Sequence, residues 1–227
     1  LLASSAASDV YKRQIVTAKF WQNVKENGLH LTVAETGWGK ASWGKIYGQW
    51  LCGCGVMVYD FDIFSPEKLL KVIEDFKVTS FCAPPTVYRY FIKKDMKKFD
   101  LSHLEHITTA GEALNPEVFE QVHKQTGLQI MEGFGQTESV LMLGNLVGST
   151  AKIGSLGKPT PLYNIMIADN EGNRLPANEV GEIVVIPSEN QHGIFMGYCG
   201  NEDLYANVWK YGIYHTCLLY TSPSPRD

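Results

Sequence analysis

Between residues 56 and 131, short apolar runs alternate with helix-patterned segments, and this alternation restricts the possible folds more than any other feature. Residues 56–61 form the first run. Ser65-Pro66 follows, pairing a capping hydroxyl with a proline suited to the first helical position. Leu69, Leu70, Val72, Ile73 and Phe76 then recur at helical spacing. Residues 78–83 predict a second strand closed by Pro84-Pro85, and residues 86–94 a further helix. Residues 104–110 read as a third strand. Asn115-Pro116-Glu117 opens a helix ending before Gly127, and residues 128–131 make a fourth strand. Alternation at this spacing specifies βαβ units, hence an α/β fold with a largely parallel sheet and flanking helices.

The pattern changes after about residue 148. Gly154, Gly157, Pro159 and Pro161 punctuate the chain, and residues 163–168 and 181–186 read as strands around the turn-rich Asp169-Asn170-Glu171-Gly172-Asn173. A smaller, mainly-β subdomain is expected over 148–216, following an α/β subdomain over 15–147. The two ends have another character. Residues 4–14 (SSAASDVYKRQ) and 217–227 (CLLYTSPSPRD) resemble translated adapters of transposase-based sequencing libraries, so 1–14 and 217–227 are expected to be adapter-derived tails.

Composition closes off several functions. A chain of 227 residues, 44% hydrophobic, can bury a substantial core. Its net charge of −4 and lack of a basic stripe argue against nucleic-acid binding. No apolar run reaches membrane-spanning length. Apart from Cys217 in the expected tail, Cys52, Cys54, Cys82 and Cys199 are scattered thiols that fit a reducing cytoplasm better than a disulfide framework. Cys52-Gly53-Cys54 lacks a second ligand pair at metal spacing and reads as a buried apolar pair. His103 and His106 read as parts of a solvated turn, and Lys93, Lys94, Lys97 and Lys98 as a solvated helix face.

Ligands of open parallel sheets gather beyond the carboxyl ends of the strands. Two glycine-bearing loops are expected there: Thr109-Ala110-Gly111-Glu112-Ala113 after the third strand, and Glu132-Gly133-Phe134-Gly135-Gln136-Thr137-Glu138 after the fourth. Glycine lets backbone approach a ligand closely. Phe134 offers a flat face for a base, Thr137 a hydroxyl for a phosphate oxygen, and Glu138 a hard oxygen for Mg²⁺. By composition alone the second segment also suits an ordinary turn with a capping Thr-Glu.

These loops resemble the adenine and phosphate loops of the AMP-forming acyl-CoA synthetases, members of the adenylate-forming superfamily. Further matches follow in the family's order: Glu35-Thr36-Gly37-Trp38-Gly39-Lys40 resembles its acyl-pocket segment, and Ala83-Pro84-Pro85-Thr86 its proline-bearing strand end. Gly154-Ser155-Leu156-Gly157-Lys158-Pro159 and Gly181-Glu182-Ile183 resemble its β subdomain, and Tyr214-His215-Thr216 the start of a Tyr-His-Thr-Gly-Asp motif. The resemblance implies activation of a carboxylic acid by Mg-ATP to acyl-AMP, then transfer of the acyl group to CoA. It implies that Gly111, Glu112 and Ala113 meet the adenine, and that Glu132, Gly133, Phe134, Gly135, Gln136 and Thr137 wrap the adenylate. Thr137 and Glu138 would be the catalytic pair, Thr137 on phosphate and Glu138 holding Mg²⁺. His215 would have a structural role near the nucleotide.

Trp38, Gly39 and Gly135 would line the acyl pocket. Acetyl-CoA synthetases carry Trp where Gly135 stands and tend to have Val at Gly39, so two glycines imply a longer cavity for a medium-length aliphatic or simple aryl acid. Residues 37–45 resemble the medium-chain branch in particular. Departures matter too. The family's phosphate loop ending in Lys is absent, the Tyr-His-Thr motif breaks before its ribose-binding Asp, and the C-terminal domain with its catalytic Lys is not in the sequence. The chain by itself is therefore expected to make negligible acyl-CoA. An adenylating enzyme that loads a carrier protein, and a non-catalytic protein on the same scaffold, are the alternatives.

Overall fold

A computed structural model describes residues 14–35, 37–187 and 193–221. Thr36 and most of both expected tails lie outside the described residues. The larger sheet has seven strands in the order β2-β1-β3-β4-β5-β6-β7. They are β1 (Leu29–Thr32), β2 (Gly55–Met57), β3 (Ser80–Cys82), β4 (His106–Thr109), β5 (Ile130–Gly135), β6 (Leu141–Gly144) and β7 (Lys158–Pro159). The strands from β2 to β5 pair in parallel, whereas β6 and β7 add antiparallel. The second sheet is antiparallel, in the order β10-β11-β9-β8. Its strands are β8 (Asn164–Ala168), β9 (Val180–Ile186), β10 (Trp209–Lys210) and β11 (Ile213–Thr221).

The crossovers follow from local chemistry. Helix α4 (Pro66–Asp75) starts where Ser65 Oγ accepts from Lys68 N, and it buries Leu69, Leu70 and Ile73. At about 1.5–3 kcal/mol per buried aliphatic side chain, that stripe outweighs the single cap of about 1 kcal/mol. Helix α5 (Pro85–Phe91) begins at the second proline. Helix α6 (Pro116–Thr126) is capped by Asn115 Oδ1 on Glu117 N and ends at Gly127, whose φ of 76° suits glycine. These helices bury one continuous core against β1, β3, β4 and β5 that includes Leu31, Phe81, Tyr88, Phe91, Ile107 and Ile130. Three short helices complete the N-terminal side: α1 (Val16–Trp21), a wide-turn helix closed by Gln22 N on Thr17 O, then α2 (Lys40–Trp43) and α3 (Tyr47–Leu51). A seventh helix, α7 (Glu202–Val208), precedes β10.

Several expectations change. The run at 56–61 is a strand only as far as Met57; Val58 is 77% exposed because the chain has left the sheet. β1 was not anticipated, since its buried His30 and Thr32 look polar in sequence. The pair β6–β7 carries the larger sheet past residue 148, so residues 158–159 belong to it and the second sheet begins at Asn164. Strand β11 runs through residues 217–221, with a register break between His215 and Leu219. His106 is no solvated turn residue: its Nε2–H donates to Trp21 O at 2.7 Å, and burial lowers its pKa. Cys54 is buried with Ala18 and Val24, with Cys52 packed alongside, and burial raises both thiols.

Candidate functional site

The parallel strands β1, β3, β4 and β5 end on one edge of the sheet, which gathers the segments that follow them. Segments 37–40, 110–111 and 135–137 enclose a cavity of about 330 Å³. Its wall includes Trp38, Gly39, Gly111, Gly135 and Thr137, so three segments far apart in sequence meet at one place. Gly111 has φ +104°, a conformation L side chains rarely adopt, and its α-carbon faces the Trp38 ring. Gly39 touches Thr137 so closely that a Cβ there would lie 2.9 Å from Thr137 Oγ1. Lys40, next in sequence, is only 7% exposed and lines the same cavity.

The 132–138 segment is not one loop. Residues 132–135 prolong β5, whose pairing partner β6 runs back along Gly133, Phe134 and Gly135. Glu132 is buried, its Oε1 accepts from Leu114 N at 3.1 Å, and burial raises its pKa. The Trp21 indole lies beneath, with Nε1–H shared between Met131 O and Glu132 O at 3.2 Å each. A Cβ on Gly133 would sit 2.6 Å from that indole, and one on Gly135 would sit 2.6 Å from Val140 O. Gly135 thus answers first to the approach of the 139–141 backbone, and a side chain there would have to displace it.

Beyond Gly135 the chain turns, and hydrogen bonds take over. Both ends of the Gln136 amide are held by β11: Nε2 donates to Thr216 O at 2.9 Å and Oε1 accepts from Tyr214 OH at 3.1 Å. Thr137 is exposed at the cavity. Glu138 Oε1 accepts from Tyr198 OH at 2.9 Å, and burial together with that carboxylate pushes the Tyr198 phenol up to about 12. Burial also raises Tyr214, with Glu138 adding to the shift. Among the described residues no cluster of three His, Cys, Asp or Glu side chains stands ready for a metal. A hard divalent ion on Glu138 would therefore complete its shell with ligand oxygens and water, as Mg²⁺ does beside phosphates.

The profile of the AMP-binding enzyme family matches residues 11–199. The chain belongs to that family. Its curated relatives include acyl-coenzyme A synthetase ACSM3, mitochondrial, of Mus musculus, 36% identical over 203 residues that cover 88% of this chain and 35% of the relative. Acyl-coenzyme A synthetase ACSM4, mitochondrial, of Homo sapiens is 40% identical over 167 residues, covering 74% of this chain and 29% of the relative. The chain thus spans about a third of the length of these relatives. The solved structure of the anthranilate CoA ligase AuaEII in complex with anthranoyl-AMP superposes with a TM-score of 0.85 at 25% identity, over 94% of this chain and 40% of that one. The acyl-CoA synthetase of Brucella canis shares the fold, with a TM-score of 0.86 at 23% identity over 96% and 40% of the two chains.

Placed on this AMP-binding fold, the expected site residues separate. Trp38, Gly39, Gly111, Gly135, Gln136 and Thr137 converge on the cavity. Glu138 faces a smaller neighbouring cavity of about 120 Å³ across Thr137. Ala113 is exposed, and the exposed Glu112 is paired with Arg89 at 2.9 Å while Thr86 Oγ1 donates to it. That contact ties the segment after β4 to the proline-bearing start of α5. Phe134 is half-buried against the core of the second sheet. His215 Nδ1 bonds Glu182 Oε2 at 2.7 Å within the second sheet.

Two residues that sequence reasoning passed over matter here, beside Lys40 of the segment resembling the acyl pocket. Trp21 supports Gly133, Tyr198 holds Glu138, and the Lys40 side chain lines the cavity. Only Lys40 left a signal, as the residue next to the Trp38-Gly39 pair.

Proposed function

We propose that the chain is the adenylate-binding part of an AMP-forming acyl-CoA synthetase. In this reading the full-length gene product activates a carboxylic acid with ATP and passes the acyl group to CoA. The observation that carries it is the meeting of Gly111, Gly135, Thr137 and the Trp38-Gly39 pair around one cavity at the carboxyl edge of the parallel sheet. Relatives named acyl-coenzyme A synthetases, and a neighbouring fold solved with anthranoyl-AMP, support the same chemistry.

The chain's residues would act by position and charge. Gly111, Glu112 and Ala113 would border the adenine, and residues 132–137 would follow the adenylate with Phe134 beside the base. The Thr137 hydroxyl would donate to a phosphate oxygen. Glu138, oriented by Tyr198, would hold the Mg²⁺ that offsets charge on the phosphates. Trp38, Gly39 and Gly135 would bound the acid's chain, and a cavity this size suits a medium-length acid. The free thiols support a reducing, cytoplasmic setting.

The test is acid-dependent ATP–pyrophosphate exchange by the full-length gene product, with Glu138→Ala beside it. Exchange should fall about 100-fold or more in the variant. Full exchange by Glu138→Ala would remove the metal role, and no exchange with any acid would remove the adenylation reading.

A further inference from the structure

The segment after β4 is anchored at both ends and held in its middle by one side chain. At its start Thr109 Oγ1 donates to Ala83 O at 2.8 Å, and at its end Leu114 N donates to Glu132 Oε1 at 3.1 Å. Between these points, among the described residues, the hydrogen bonds of residues 111–113 are those of the Glu112 carboxylate. That carboxylate closes a ring with two side chains of α5. Arg89 Nη2 donates to Glu112 Oε2 at 2.9 Å and to Thr86 Oγ1 at 2.7 Å, and Thr86 Oγ1 donates to Glu112 Oε2 at 3.2 Å. Thr86 and Arg89 are spaced i,i+3 on the helix, so they share a face. The helix is itself fixed by buried Val87, Tyr88 and Phe91, and Tyr88 OH donates to Thr108 O at 2.9 Å. The ring therefore joins an exposed segment to a rigid platform.

Resting on the reading of residues 111–113 as the border of the adenine, we propose that Arg89 is a positioning residue for the base. Through Glu112 it holds that segment in place before the nucleotide arrives. An exposed ion pair contributes little to overall stability. Its effect here falls on binding instead, because a segment ordered in advance loses less conformational entropy when a ligand docks. Arg89 thus lowers the KM for ATP and takes no part in the chemistry at phosphorus.

The test is ATP–pyrophosphate exchange by the full-length gene product, with ATP, pyrophosphate and the acid varied in turn. Arg89→Met should raise the KM for ATP about fivefold, leaving the maximal rate and the KM for acid and for pyrophosphate unchanged. A merely structural role would lower the amount of folded enzyme, and so the maximal rate, without singling out one substrate. In a Glu112→Ala background Arg89→Met should add nothing further, since its influence runs through that carboxylate. An unchanged KM for ATP overturns the proposal. So does an equal rise for pyrophosphate, which would assign Arg89 to phosphate, or a rise that persists in the Glu112→Ala background. If Arg89→Met fails to fold, Thr86→Val decides, with a rise of about twofold expected and none overturning. Wild-type exchange with a silent Arg89→Met sinks this inference alone. No wild-type exchange with any acid removes the adenylation reading and this inference with it.

Discussion

Residues 132–135 and 136–138 are neighbours in one short segment, yet they are held in place by different means. The first four continue a buried strand and are fixed by contact: Trp21 beneath Gly133, the Val140 backbone against Gly135, and a desolvated carboxyl on Glu132. The last three sit on a turn fixed through Gln136 and Glu138, which accept from Tyr214 OH and Tyr198 OH while the Gln136 amide donates to Thr216 O. The two carboxylates make the contrast sharpest. Burial pushes Glu132 toward its neutral form, whereas Glu138 takes a phenolic donor at the edge of a cavity. The strand half supplies shape and the turn half supplies polar reach.

Gly133→Val should break the strand half most severely. Its side chain would enter space held by Trp21 and Leu141, costing about 3 kcal/mol of stability by urea titration. A silent result would mean the strand half is not fixed by contact. Gln136→Ala should cost about 2 kcal/mol, because Tyr214 OH and Thr216 O lose their partner, and it should loosen the turn without disturbing β5. Slower hydrogen exchange at residues 136–138 in that variant would contradict the hydrogen-bonded account of the turn.

The smallest effect tests charge. A carboxyl whose folded pKa is raised holds its proton better folded than unfolded, so its contribution is greatest below the ordinary carboxylate value near 4.5. That contribution declines as pH rises toward the folded pKa, by at most about 1.4 kcal/mol per pH unit. Glu132→Gln keeps an oxygen for Leu114 N, so it should flatten this slope and gain stability at pH 7. An unchanged slope would show that Glu132 is not the buried neutral group of the segment.

Much of the fold was legible in the sequence because its signals are local. Ser65, Asn115 and Gly127 cap or end their helices through neighbours two to four residues away. The strand half was not legible, since Gly133 depends on a tryptophan more than 100 residues earlier in the chain. β1 was hidden for a related reason. Thr32 Oγ1 spends its proton on Gly44 O, so it must accept from His30 Nε2–H, which leaves His30 Nδ1 to accept from Ser80 Oγ. Buried polar residues are tolerated only through such partners, and no sequence window displays them. At the site, the glycines and Thr137 were visible as types, while the aim of the Gln136 amide toward the second sheet was not.

That amide has a mechanical consequence. One Gln136 side chain grips two positions of β11, so the turn bearing Thr137 and Glu138 is fastened to the smaller sheet as well as to the end of β5. A displacement of the smaller sheet would be transmitted to Glu138 through two hydrogen bonds and a few covalent links. Rigid-body motion between the sheets would therefore have to break the Gln136 latch, along with the bond from Phe195 N to Glu138 O.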